Sequence, residues 1–198
     1  MSIALSSGRI QAVVIGASAG AVGALMQILP TLPGDYPLPV VIVVHVPPTA
    51  SITLASVFTA HCAIQTKEAE DKEPIRAGVV YFAPPNYHLL VEPDFRLSLS
   101  SDDPVFFSRP SIDVLFESAA DAYGDSLAGI VLTGANSDGA KGLRAVVDAG
   151  GLAFVQTPTS AEAAAMPQAA LDACPAARAL SLSEISTFLK TELLTEAT

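Results

Sequence analysis

The chain has 198 residues, 51% of them hydrophobic and 15% charged, and carries a net charge of −10. That length suffices to bury a substantial core as a single domain, and so apolar a composition excludes a disordered chain. The negative balance repels phosphate backbones and anionic lipid, and the most apolar run, residues 40–46, is of strand length; neither a nucleic-acid partner nor membrane insertion is expected.

In chain order, residues 11–15 (QAVVI) form a β-branched run ending at Gly16, the pattern of a strand buried on both faces. Residues 23–29 read as a helix stopped by Pro30, and residues 40–44 as a second buried strand that ends at His45 and a Pro47-Pro48 break. Ile52, Leu54, Ala55 and Phe58 are spaced for a helix over 51–61. Residues 79–84, 88–93 and 95–100 are short strand-like pieces divided by Pro84-Pro85-Asn86 and Pro93-Asp94, which predicts hairpins or a small mixed edge. A polar loop over 101–110 contains Phe106-Phe107, and a helix over 111–123, capped by Ser111, turns Val114, Leu115, Ala119 and Ala122 inward. Residues 127–134 read as a strand, 139–150 as a helix closed by glycine, and 151–156 as another buried strand. Small residues surround a Met166-Pro167 break within 161–173, and Ser183 caps a final helix over 183–194. The alternation predicts an α/β fold: a doubly wound, mostly parallel sheet with helices on both faces and a small antiparallel hairpin region. No internal repeat or long linker divides residues 1–198, so one domain is expected.

In such a sheet, ligands bind at the carboxyl ends of the strands. Three buried runs are followed there by polar groups: Ser18 in Gly16-Ala17-Ser18-Ala19-Gly20, His45 after residues 40–44, and Asp138 in Asn136-Ser137-Asp138-Gly139. A serine, a histidine and an aspartate at one rim are the parts of an acyl-transfer triad, with His45 Nε2 expected to face Ser18 Oγ. Ser18 fits G-x-S-x-G in a strand-to-helix turn, where small neighbours expose the hydroxyl and leave backbone N–H groups, those of Ala19 and Gly20, for an oxyanion. Each residue also has a plain structural reading: Ser18 starts a helix, His45 bonds a loop carbonyl, and Asp138 caps the helix that follows it. His61 and His88 are weaker candidates, although His88 could line the cleft. The three histidines lie far apart, and no H-E-x-x-H or C-x-x-C occurs, so neither a metal nor another cofactor is expected. Cys62 and Cys174 read as reduced thiols, and the start of the chain has no secretory pattern, so a cytoplasmic location is expected.

Residues 15–25 (IGASAGAVGAL), 40–48 (VVIVVHVPP), 82–92 (FAPPNYHLLVE), 108–124 (SRPSIDVLFESAADAYG), 129–143 (GIVLTGANSDGAKGL) and the Met166-Pro167 region recur in order in a known family. Over about residues 10–175 the chain resembles the catalytic domain of the chemotaxis protein-glutamate methylesterases. The resemblance implies a triad in the chain order Ser18, His45, Asp138, unlike ordinary α/β-hydrolases, where the acid precedes the histidine. It implies hydrolysis of glutamate side-chain methyl esters in chemoreceptors or another methylated protein, with glutamine deamidation as a further activity. It also brings the Met166-Pro167 region to the cleft.

The family usually has Ser-Thr-Gly-Gly where this chain has Ser18-Ala19-Gly20-Ala21, and Gly-Met-Gly-x-Asp-Gly where it has residues 134–139 (GANSDG). A cleft methionine and a hydroxyl are thus replaced, and Asn136 stands in place of a glycine. No receiver domain is read in residues 1–198, so the expectation is constitutive activity, control by a separate response regulator or devotion to another methylated protein, unless the domain is cut from a longer chain. Arg109 is a candidate for contact with an acidic part of the substrate; the alternative is a loop salt bridge to Asp102 or Asp103. Two other function classes remain open: a catalytically silent module that binds receptors or signalling proteins, and a nucleotide-binding domain using residues 16–23 as an anion loop. Against the second, Ser18 occupies the second glycine of the dinucleotide fingerprint, and no Gly-Lys-Ser/Thr follows.

Overall fold

Runs of valine and isoleucine uninterrupted by polar residues need cover on both faces. The structure, a computed structural model that describes residues 10–45 and 53–193, supplies it. Its strands are β1 (Ala12–Ala17), β2 (Val40–Val44), β3 (Gln65–Glu68), β4 (Val79–Phe82), β5 (His88–Val91), β6 (Leu97–Ser100), β7 (Leu127–Val131), β8 (Leu152–Gln156) and β9 (Arg178–Leu180). Seven form one sheet in the order β3-β4-β2-β1-β7-β8-β9, with every neighbouring pair parallel, while β5 and β6 form a separate antiparallel hairpin. All residues of β1, β2, β4 and β7 are buried.

One face is covered by α1 (Ala21–Ile28), α2 (Leu54–Thr59) and α6 (Leu182–Thr187), whose Leu25, Ile28, Phe58 and Ile185 pack with Val13, Ile15, Val40 and Ile42. The other carries α3 (Ile112–Tyr123), α4 (Ala140–Asp148) and α5 (Ala165–Ala173); Leu115, Phe116, Leu143, Val146 and Met166 pack there with Val14, Val41, Val43 and Val131. The β5–β6 hairpin adds Leu89, Val91 and Leu97 to that second core. None of the helices among the described residues is long and apolar enough to cross a membrane.

Several expected elements differ. Residues 79–82 are not part of a hairpin but an internal strand, with β4 bonded to both β2 and β3, and only 88–91 and 97–100 form the hairpin. The edge strands β3 and β9 carry Gln, Lys, Glu and Arg on partly exposed positions, so neither shows the apolar pattern of its neighbours. Pro167 lies in the first turn of α5, where its missing N–H costs nothing, and begins a helix instead of breaking one. The final helix starts earlier: Ser181, not Ser183, is the cap, accepting from Glu184 N–H while Glu184 Oε2 accepts from Ser181 N–H. In α3, Val114 and Ala122 are only half-buried, and Ile112 and Phe116 join Leu115 and Ala119 in the interior. The Pro47-Pro48 break, Ile52 and residue 194 lie outside the described residues.

The order places β1 at the centre, with β2 on one side and β7 on the other. The chain therefore reverses direction of travel across β1, and a crevice opens outside the carboxyl ends at that point. Helices α3 and α4 cross the back of this region in close contact. A Cβ on Gly142 would stand 2.6 Å from Phe116 Cβ and 3.0 Å from Asp113 Cα. Gly142→Ala is expected to push α4 off α3 and to lower stability by about 1–3 kcal/mol, as overpacking of a tight contact does; urea unfolding measures it.

Candidate active site

Parallel pairing of β1 with β2 ends at Ala17 opposite Val44, and His45 N–H still donates to Ala17 C=O at 3.1 Å. Ser18 and His45 therefore leave adjacent strands one step later, at about the 4.8 Å spacing of neighbouring strands. On the other side Ser18 N–H donates to Thr133 C=O, beyond the end of β7. Ser18 is half-buried and Ala19 exposed, so the turn opens to solvent. Gly20 completes it at φ 81°, in the left-handed region, where a Cβ would meet Glu162. No hydrogen bond joins Ser18 Oγ to His45 among the described residues.

The histidine is held from behind. His45 Nε2 lies 2.7 Å from Asp138 Oδ2, and the ring is about 11% exposed. An ionised carboxylate can only accept, so Nε2 carries the proton and Nδ1 is left with its lone pair. This reverses the expected assignment: Nδ1, not Nε2, is the nitrogen free to act on Ser18. Asn136 Nδ2 stands 3.5 Å from that Nδ1, while Asn136 Oδ1 accepts from Asp138 N–H.

Asp138 is fully buried, and each of its oxygens has two donors. Oδ1 accepts from Ser111 Oγ and Asp113 N–H, both at 2.9 Å; Oδ2 accepts from Ile112 N–H at 2.7 Å and from His45. Burial alone would raise this carboxyl, but the His45, Asp113 and Ile112 donors outweigh it and hold Asp138 below the usual aspartate value. Asp138 thus caps a helix, as one reading of the sequence expected, but caps α3 instead of the α4 that follows it. The N-terminus of α4 is capped from the opposite direction, since Asp113 Oδ1 accepts from Gly139 N–H at 3.0 Å and Gly142 N–H at 2.6 Å. Each helix carries the other's cap. Ser111, expected to cap α3 itself, gives its hydroxyl to Asp138 instead.

The remaining candidates fall apart from this centre. Met166 is fully buried, with its side chain against Gly134 and its N–H on Gly134 C=O; it supports the loop after β7 from below and does not line the open cleft. Arg109 makes no ion pair with Asp102 or Asp103. Its guanidinium donates to Asn86 Oδ1 and to the Ser101 and Asp102 carbonyls, clamping its own loop. His88 is buried, accepting from Ser111 N–H and facing Asp103 C=O, so it braces the loop and does not face the cleft; His61 sits exposed on α2's end. Thr133 and Gln156 were not singled out from the sequence. Thr133 Oγ1 donates to Ala19 C=O and accepts from Ala163 N–H, and Gln156 Oε1 accepts from Thr133 N–H, which ties the Ser18 turn to the loops after β7 and β8. A polar pair directly after or at the end of a buried strand was the only available signal. Among the described residues no group of three or more His, Cys, Asp and Glu is arranged to hold a metal ion.

The family model described as CheB methylesterase matches residues 13–189. A Leptospira interrogans protein is 51% identical over 89% of this chain and 91% of its own length. A Symbiobacterium thermophilum protein named protein-glutamate methylesterase/protein-glutamine glutaminase is 38% identical over 88% of this chain, which spans 48% of that protein. The crystal structure of the Thermotoga maritima CheB methylesterase catalytic domain superposes with a TM-score of 0.86 at 31% identity, covering 91% of this chain and 97% of that one. These matches leave no ground for the nucleotide-binding alternative.

The buried Asp113 makes the cross-capped arrangement sensitive to pH. Its Oδ2 has no partner among the described residues, and burial pushes the carboxyl up to about 6, with Gly142 N–H opposing and the Asp138 charge adding to the rise. A folded-state value above the unfolded one means the native state holds a proton that the unfolded chain has released, so this group's contribution to stability falls as pH rises from about 4 to about 6. Asp113→Asn, neutral throughout, should therefore gain on the wild type across that window by at most about 3 kcal/mol. Urea titrations of both proteins from pH 4 to 7 measure the difference.

Proposed function

This chain belongs to the CheB methylesterase family, and from that premise we propose that it is a serine hydrolase of glutamate side-chain methyl esters in chemoreceptors. Ser18 is the nucleophile, His45 the base and Asp138 the group that orients and charges the imidazole. The observation that carries this reading is the Asp138–His45 bond at 2.7 Å, which fixes the protonated nitrogen and leaves a basic one at the strand end beside Ser18.

His45 Nδ1 takes the Ser18 proton as Oγ attacks the ester carbonyl, and the imidazolium that forms is stabilised by the ionised Asp138. The Ala19 and Gly20 N–H groups, which make no hydrogen bond among the described residues, directly precede α1 and suit a developing oxyanion. His45 then returns the proton to the leaving methoxide, releasing methanol and leaving a glutamyl ester on Ser18. Water deprotonated by the same nitrogen hydrolyses that ester, freeing the glutamate carboxylate and restoring the serine. A glutamine side chain entering the same route would lose ammonia in place of methanol. Asn136 replaces a glycine of the family's usual loop and stands next to Nδ1, where it narrows the approach to the base.

Ser18→Ala is expected to cut methanol release from a methylated receptor at least about 1,000-fold with its melting temperature unchanged, and His45→Ala to be comparably damaging. Labelling of Ser18 by a fluorophosphonate separates this reading from a silent binding module, which would leave the serine unreactive. Asp138→Asn should lower the rate and, because it strips one acceptor from the α3 terminus, should also lower stability, which Ser18→Ala does not. Wild-type methanol release by Ser18→Ala would falsify the assignment.

A further inference from the structure

We propose that the Phe106-Phe107 turn is a docking element for the polypeptide that carries the ester, taking up an apolar side chain near its methylated glutamate; this rests on the hydrolase reading above. Val105 and Ser108 exchange both backbone hydrogen bonds, at 3.1 and 2.8 Å, closing a two-residue hairpin. Both central residues are in the left-handed region, Phe106 at φ 48° and Phe107 at φ 61°. That turn selects Asn-Gly, and a bulky side chain is strained at either position. The two phenylalanines are also left in water: Phe106 is 52% exposed and Phe107 wholly so. Backbone strain and exposed apolar surface both disfavour these residues here, and the Phe107 ring is wholly in water.

The position of the turn gives it an occupant. Arg109, next to the hairpin, is clamped to Asn86, in the segment leaving the carboxyl end of β4. β4 pairs with β2, and Ala83 N–H still donates to Ile42 C=O, so this segment emerges at the same rim as His45. Tyr87, beside Asn86, is 45% exposed. Ser111, two residues beyond Arg109, holds Asp138. The turn is thus fixed to the wall of the reaction site, with its rings projecting outward. The chain has a net charge of −10, and the same loop exposes Asp102 and Asp103. A glutamate-rich substrate gains nothing from that charge, and the aromatic turn offers it apolar contact instead.

The test is a double variant, Phe106→Asn with Phe107→Gly, which suits the turn better than the native pair and removes both rings. It should keep or raise the melting temperature, label with fluorophosphonate at the wild-type rate, and hydrolyse p-nitrophenyl acetate within about twofold of wild type. With a methylated chemoreceptor cytoplasmic fragment its KM should rise about tenfold or more, with kcat retained. An unchanged KM for the receptor fragment overturns the docking role, as does an equal loss on both substrates, which would mean the turn shapes the site itself. A wild-type dimer that the variant abolishes, with receptor KM unchanged, assigns the turn to a second copy of the chain and also overturns the proposal. A wild type that cleaves the small ester but not the receptor ester removes the substrate reading, and this inference with it.

Discussion

A carboxylate withdrawn entirely from water is tolerated only if every lone pair finds a donor. Asp138 meets that condition with two donors on each oxygen, three of them from the first residues of α3 and its flank and one from His45. The capping requirement of a helix and the charge requirement of an imidazole are met by the same side chain. Asp113 caps α4 in return through Oδ1 alone, so the two helix starts lock face to face, and the glycine at 142 permits the close approach. The register of the histidine depends on this lock.

The sheet supplies the other half of the alignment. Because all seven strands of the main sheet run parallel, their polar exits share one rim, and the pairing of Ala17 with Val44 sets Ser18 beside His45 with no long-range adjustment. Gly16, within β1, accommodates Ile112 where any Cβ would collide with it, so the strand bearing the serine is pressed directly against the helix whose first N–H groups hold the aspartate. Thr133 then bonds the carbonyl of Ala19, one residue past Ser18. Ser18, His45 and Asp138 come from three distant segments, yet each is joined to the next through a few backbone contacts.

Most of this framework was legible in the residues. Buried strands announce themselves as unbroken valine and isoleucine, and the polar residue that ends each run marks the rim, which is how Ser18, His45 and Asp138 stand out. What was hidden depended on tertiary partners. β3 and β9 lie at the edges and are polar enough to pass for loops, and β4 reads as part of a hairpin or mixed edge because Pro84-Pro85 follows it. The helix α5 was masked by Pro167, which serves a first turn as readily as it breaks a later one. Which nitrogen of His45 meets Asp138 depends on ring orientation, to which sequence is blind. So does the choice of helix for the Asp138 cap, since local spacing favours the one that follows and packing selected the other. Arg109 and Met166 carried the expected chemistry, but their surroundings assign both to support.

The reciprocal caps bear on how such an enzyme can be switched. Sliding α3 against α4 would strand two aspartates in the interior at once, each without donors, so a graded distortion of the machinery has no low-energy route. The two helix starts therefore hold together or come apart as one latch, and the imidazole behind them is aligned or released with it.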